Sequence, residues 1–303
     1  MTKLAGLYPA VVTPFRDARS IDLDALAENI QRLLAAGMDG VYVGGNTGEW
    51  YLQTLEERKA AARTAIEAAR GRGRVLVHVG CNTTEDAVEL ARYAESAGAD
   101  GVSSLPPYVA RCTGREVVNY YRRLASATSL PCFIYHFPAI TGPLPLDTLA
   151  ALPGIRGVKF TDMNLYEMGL LAGRTPEPFL VFNGHDQVLL PGLLMGARGG
   201  VGSFYNVYPE LFVSLYRSWI AGDIPAAGHY QRQINERIAA VKKYRLIPAL
   251  RFLMEAHGLE PGVCREPVLP LSREEQHQLA SDLEALGGSP AGETADATRA
   301  IRS

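Results

Sequence analysis

A pattern repeated about eight times governs what this chain can build: a short β-branched apolar run, a turn rich in Gly, Pro, Asn or Thr, then an amphipathic helical stretch. The apolar runs are GLYPAVVT (6–13), GVYVGG (40–45), RVLVHVG (74–80), GVSSLP (101–106), PCFIYHF (131–137), IRGVKF (155–160), FLVFNG (179–184) and GGVGSF (199–204). Several are continuous rather than alternating, which suits parallel strands buried on both faces. The first four begin 27 to 34 residues apart, the period of βα units joined by right-handed crossovers. Helix signals agree with this: Asp22 or Ser20, Thr54, and Thr83 or Thr84 stand at helix starts, and Gly37, Gly71 and Gly98 at helix ends. The pattern predicts an α/β fold, a (β/α)₈ TIM barrel. An open doubly wound sheet is the rival architecture, but no GxGxxG opens a helix after the first strand.

Strand signals stop near residue 205. Helical pattern continues over 206–221, 223–243, 246–257 and 272–286, broken by Gly222, Pro248, Gly258 to Pro261 and Pro270. The expected organisation is a barrel over 1–222, a helical appendage over 223–286 and a small, polar, aperiodic tail over 287–303, expected to be flexible. Thirty Lys and Arg against 32 Asp and Glu leave a net charge of −2, too balanced to neutralise a phosphate backbone or to anchor on an anionic membrane. No apolar run reaches membrane-spanning length and the N-terminus lacks the h-region of a secretory signal, so a cytoplasmic location is expected. Cys81, Cys112, Cys132 and Cys264 form no CxxC pair and are read as reduced thiols; the six histidines show no HxH or HxxxH spacing, and no metal site is expected.

In an α/β barrel the loops after the strands build the active site. Polar residues cluster there: Asn46, Thr47 and Glu49 after the second strand, Tyr135 and His136 at the fifth, Lys159 and Thr161 at the sixth, Gly184, His185 and Asp186 at the seventh, Ser203 and Tyr205 at the eighth. Lys159 ends an apolar strand that points into the barrel mouth. An exposed lysine titrates near 10.4, whereas burial lowers that value and frees the amine to attack a carbonyl as a Schiff-base nucleophile. Tyr135 is its expected partner, a phenol lying across the mouth and passing a proton; a tyrosine that only fills the barrel top is the alternative. The glycines of GGNTGE let backbone N–H groups approach an anion, and with the Thr47 hydroxyl they can cradle a carboxylate, although such turns also serve only to reverse a chain. Asp186 and Ser203 can read the hydroxyls of a polyol. Asp186 can equally cap the helix that follows it, and Glu49 is expected to be structural.

Together, GGNTGE, YHFPAITG, GVKFTD, and FNGHDQ followed by GGVGSFYN resemble the pyruvate-dependent class I aldolase family that contains dihydrodipicolinate synthase and N-acetylneuraminate lyase. The resemblance runs from about residue 6 to at least residue 271. It implies a barrel with a C-terminal helical part, usually a homotetramer, acting on pyruvate and a sugar-derived substrate. The covalent Schiff base serves in place of a dissociable cofactor. By motif, Lys159 corresponds to the Schiff-base lysine, Tyr135 to the proton-transferring tyrosine, and Asn46 with Thr47 to the turn that binds the pyruvate carboxylate. Ile140 stands where synthases carry an Arg for the second substrate's carboxylate. This favours the lyase branch, in which Thr161, Gly184, Asp186 and Ser203 line the sugar-chain pocket. Three departures stand out. Asn46 replaces a Ser or Thr, and an amide donates to a carboxylate but does not relay a proton; Gln187 replaces a Glu that accepts from the glycerol end; Val109 replaces a second Tyr that would reach a neighbouring subunit. The implied activity is retro-aldol cleavage of N-acetylneuraminate or a similar 2-keto-3-deoxy sugar acid to pyruvate and an aldose. The alternatives are 4-hydroxy-tetrahydrodipicolinate synthase, another 2-keto-3-deoxy acid aldolase or dehydratase, and a non-catalytic 2-keto-acid-binding protein.

Overall fold

A computed structural model describes residues 2–174 and 179–286; the expected tail at 287–303 lies outside the described residues. The apolar runs form eight parallel strands: β1 (Gly6–Pro9), β2 (Gly40–Val43), β3 (Arg74–His78), β4 (Gly101–Ser104), β5 (Cys132–His136), β6 (Ile155–Phe160), β7 (Leu180–Asn183) and β8 (Gly199–Gly202). The hydrogen-bonded order runs β1-β8-β7-β6-β5-β4-β3-β2. Past the end of β1, Ala10 bridges Tyr42 and the Val11 amide donates to the Tyr42 carbonyl at 3.0 Å, which closes the sheet into a (β/α)₈ barrel. The expected fold class is the observed one.

The helices on the outside are α1 (Leu23–Ala35), α2 (Leu55–Ala69), α3 (Thr84–Ala97), α4 (Gly114–Ser126), the short α5 (Pro138–Thr141) and α6 (Leu146–Ala150), α7 (Leu165–Arg174), α8 (Leu189–Leu194) and α9 (Pro209–Ile220). Then come α10 (Ile224–Val241), α11 (Leu246–Ala256) and α12 (Arg273–Glu284) of the appendage. Their starts follow local chemistry. Asp22, Thr54 and Thr83 each accept a backbone N–H as N-caps, and Thr54 with Glu57 forms a reciprocal capping box. Gly37, Gly71 and Gly98 have φ of 100°, 75° and 94°, the left-handed region expected just past a helix. One expected break is corrected: Pro248 does not interrupt a helix but sits in the first turn of α11, where its missing N–H has no intrahelical acceptor to lose. None of the described helices is long and apolar enough to cross a membrane.

Two apolar layers follow from the alternation of side chains along buried strands. Outward residues such as Val158, Ile134 and Val102 pack against the helices. Inward residues, among them Tyr8, Tyr42, Leu76, Phe133, Tyr135 and Phe182, fill the barrel interior. Rings this large fit because glycines face them: a Cβ on Gly40 would lie 2.5 Å from the Tyr8 ring, and one on Gly157 would lie 2.7 Å from Phe133. The interior is therefore solid up to the level of Tyr42 and Tyr135, and the side chains above that level form the floor of the mouth.

Candidate active site

Register decides which inward side chains meet. Between β5 and β6, Cys132 pairs with Ile155 but Phe133 pairs with Gly157, so Arg156 is an extra residue, and from there Tyr135 stands opposite Lys159. Without that irregularity Tyr135 would face Val158, whose side chain points to the helices. The sequence reading put the phenol across the mouth; it stands instead on the neighbouring strand beside the amine.

Lys159 is 5 % exposed, with Nζ 3.8 Å from the centroid of the Tyr135 ring and 4.7 Å from that of Tyr42. Ring faces attract a cation but replace little of the water an ammonium loses. Burial accordingly lowers the Lys159 pKa to about 7, against an opposing pull from the Asp186 carboxylate. Burial also pushes the Tyr135 phenol well above its ordinary value, with the Thr161 side chain drawing it part of the way back. At neutral pH about half of the Lys159 amine is unprotonated, beside a protonated phenol.

Asp186 does not cap the helix after it. Its Oδ2 accepts the backbone N–H groups of Ser203 at 3.1 Å and Phe204 at 2.9 Å, which ties the turn after β7 to the turn after β8. Its Oδ1 is buried without a hydrogen-bond partner among the described residues, and burial raises the carboxyl pKa to about 6. This placement needs a glycine at 202, where a Cβ would lie 1.7 Å from Oδ1. Gly184 has a similar role, since a Cβ there would lie 2.0 Å from Thr161 Oγ1. Thr47 Oγ1 and Ser203 Oγ lie 2.7 Å apart, so two residues read separately in the sequence, one for a carboxylate and one for a polyol, share a hydrogen bond. Asn46 Oδ1 accepts from the Trp50 indole N–H at 2.9 Å, which leaves its amide N–H₂ free to donate. Glu49 is structural as expected. It has a left-handed φ of 54° and no exposure, and it is ion-paired with Arg251 of α11.

These groups line one cavity of about 500 Å³, a volume suited to a small organic ligand. Asn46, Thr47, Tyr135, Lys159, Thr161, Gly184, Asp186, Gln187 and Ser203 all border it, as does Ile140 at the rim. Val109 is 70 % exposed and does not border it. Sequence reasoning missed Tyr42, whose signal was a tyrosine at an inward position of a buried strand. It also missed the outer wall, where Ile238 and Val241 of α10, then Lys242 and Tyr244, and Leu246 and Ile247 of α11 complete the cavity. The appendage is thus part of the site.

Comparison with known proteins agrees with this geometry. The model of the dihydrodipicolinate synthetase family matches residues 3–286. The N-acetylneuraminate lyase of Rhizobium meliloti (strain 1021) is 36 % identical over 94 % of this chain and 95 % of its own length. That of Escherichia coli (strain K12 / DH10B) is 33 % identical over 89 % and 93 %. Among solved structures, the wild-type sialic acid aldolase of Ruminococcus gnavus superposes with a TM-score of 0.89 at 27 % identity, covering 94 % of this chain and 97 % of that one. With its outer wall, strand order and motifs in place from residue 3 to residue 286, the chain belongs to the dihydrodipicolinate synthetase family and is an enzyme of the class I aldolase type.

Proposed function

We propose that the protein is a Schiff-base lyase that cleaves N-acetylneuraminate, or a closely similar 2-keto-3-deoxy sugar acid, to pyruvate and an aldose such as N-acetylmannosamine. The observation that carries this reading is the Lys159 amine, buried against two tyrosine rings with its pKa brought to about 7 at the floor of a 500 Å³ cavity.

The neutral amine adds to the C2 ketone of the substrate to give a carbinolamine. The protonated Tyr135 phenol beside it donates to the departing hydroxyl, so water leaves and an iminium forms next to a phenolate. That phenolate, a strong base because it is buried, takes the proton of the C4 hydroxyl. The C3–C4 bond then breaks, its electron pair passing into the iminium to give an enamine while the aldehyde departs. Protonation at C3 and hydrolysis release pyruvate and restore the amine. Lys159 is the electron sink, and the step needs no dissociable cofactor.

Asn46 and Thr47 would receive the substrate carboxylate through the Asn46 amide, the Thr47 hydroxyl and the turn's backbone N–H groups. The open Oδ1 of Asp186, with Thr161, Ser203 and Gln187, would receive the hydroxyls of the sugar chain. Ile140 at the rim supports the lyase reading over the synthase one, because an apolar side chain there leaves a second carboxylate unpaired. All four cysteines are free thiols, which suits a cytoplasmic setting. Self-association, for which the family resemblance suggests a homotetramer, is supported by exposed Tyr166 and Leu170 of α7 and exposed Leu194 and Met195 at the end of the neighbouring α8.

A coupled assay of pyruvate release from N-acetylneuraminate tests the substrate. The expected result is turnover that disappears in Lys159→Ala. Release of pyruvate only from other 2-keto-3-deoxy acids in a panel would overturn N-acetylneuraminate as the substrate.

A further inference from the structure

The residue after the proton-transferring tyrosine faces the other way. His136 ends β5 pointing outward into the layer between the barrel and α7, stacked on Phe160 at 4.9 Å between ring centroids. Its side chain is 3 % exposed, and neither ring nitrogen has a hydrogen-bond partner among the described residues. A buried imidazole with both nitrogens unpaired is costly, and most such groups are satisfied. Asp162 in the turn after β6 brings Oδ2 to 3.8 Å from His136 Nε2, too long for a hydrogen bond. Glu167 in the first turn of α7 completes a group in which one donor atom from each of the three residues lies within 4.8 Å of the others.

We propose that His136, Asp162 and Glu167 form a divalent transition-metal site, suited to Zn²⁺, Co²⁺ or Mn²⁺, on the outer side of the β5–β6 edge. Bonds of about 2.0–2.2 Å from one ion to imidazole and carboxylate ligands place those ligands roughly 3–4 Å apart; His136 and Asp162 already stand at 3.8 Å, and the three donor atoms, within 4.8 Å of one another, need draw in only slightly. One imidazole with two carboxylates selects a borderline cation over Mg²⁺ or Ca²⁺, which prefer all-oxygen shells. The remaining valences of the carboxylates are held. Asp162 Oδ1 accepts the Asn164 backbone N–H at 3.2 Å and Glu167 Oε2 accepts from Asn164 Nδ2 at 3.3 Å, so Asn164 orients both acids. Asp162 and Glu167 are only half-buried, which leaves an entry path and room for water ligands. The ion would not touch the reacting atoms. It would clamp the end of β5, which carries Tyr135, to the turn that follows Lys159 and Thr161.

No HxH or HxxxH spacing reports this site, because the ligands come from a strand end, a turn and a helix start. The test is Co²⁺ titration of the full chain followed by visible absorption, with Zn²⁺ content measured after dialysis. The expected result is one equivalent per chain, with affinity falling at least about 10-fold in Asp162→Asn and in Glu167→Gln, and a metal-induced rise in Tm that both variants lose. Both substitutions are isosteric and half-exposed, so they keep the fold where His136→Asn could disturb it. Absence of a bound equivalent, or binding of unchanged affinity in both variants, would overturn the site.

Discussion

A lysine that must lose its proton to act is a lysine that weakens the fold carrying it. Lys159 titrates near 7 in the folded chain and near 10.5 in the unfolded one, so below pH 7 the folded state holds a charge that burial disfavours. That penalty is fully present below pH 7 and is relieved as pH rises from 7 through 10.5. Lys159→Met fills the same space without a charge. It is expected to raise Tm at pH 6 by several degrees, with the advantage over the parent chain shrinking steadily between pH 7 and 10. Thermal denaturation across that range checks it, and a pH-independent difference would contradict the burial argument. The sequence makes Lys159 legible because strand-end position and alternation suffice to aim it into the mouth. It does not make the Tyr135 ring beside the amine legible, since that depends on the extra residue Arg156 in β6, and nothing in IRGVKF marks an irregularity. The sequence leaves Asp186 open between cap and ligand for a related reason. Its choice depends on Ser203 and Phe204 seventeen and eighteen positions away, and on a glycine at 202.

Among the elements, α11 does more than extend the chain. Arg251 donates to Glu49, to the Thr13 carbonyl at 3.0 Å and to the Pro261 carbonyl, so one guanidinium joins the appendage to the turn that holds Asn46 and Thr47. Both partners are at most 5 % exposed. Arg251→Ala would strand a carboxylate in the interior, a loss of about 3–5 kcal/mol, and would loosen the GGNTGE turn. Denaturant unfolding should show this loss, together with a raised KM for the 2-keto acid. Stability within 1 kcal/mol of the parent, roughly the worth of an exposed pair, would contradict the anchoring role. Element boundaries were legible to within a few residues because caps and glycines act locally: Thr54, Thr83 and Gly98 fix their ends without help from the rest of the fold. The contribution of α10 and α11 to the cavity was not legible, because an amphipathic pattern tells which face is apolar but not what that face covers.

At the scale of the whole molecule, the barrel brings strand ends nearly 160 positions apart in the chain to within hydrogen-bond reach, as Thr47 and Ser203 show. For the proposed tetramer, light scattering after size exclusion should give a mass near four times 32.8 kDa; the mass of a single chain would contradict that proposal. The repeat of βα units was enough to predict the closed barrel, and the barrel in turn predicts that reactive groups gather at one end. What the closed fold achieves chemically is a buried amine whose titration is brought down to about 7, so that a large share is neutral near that pH. Incubation with pyruvate and borohydride at a series of pH values, followed by peptide mass mapping, tests that most directly. The account predicts an irreversible adduct on the peptide containing Lys159, with a trapping rate that rises with pH through a midpoint near 7. An unmodified Lys159, or a midpoint near the 10.5 of an exposed lysine, would contradict it.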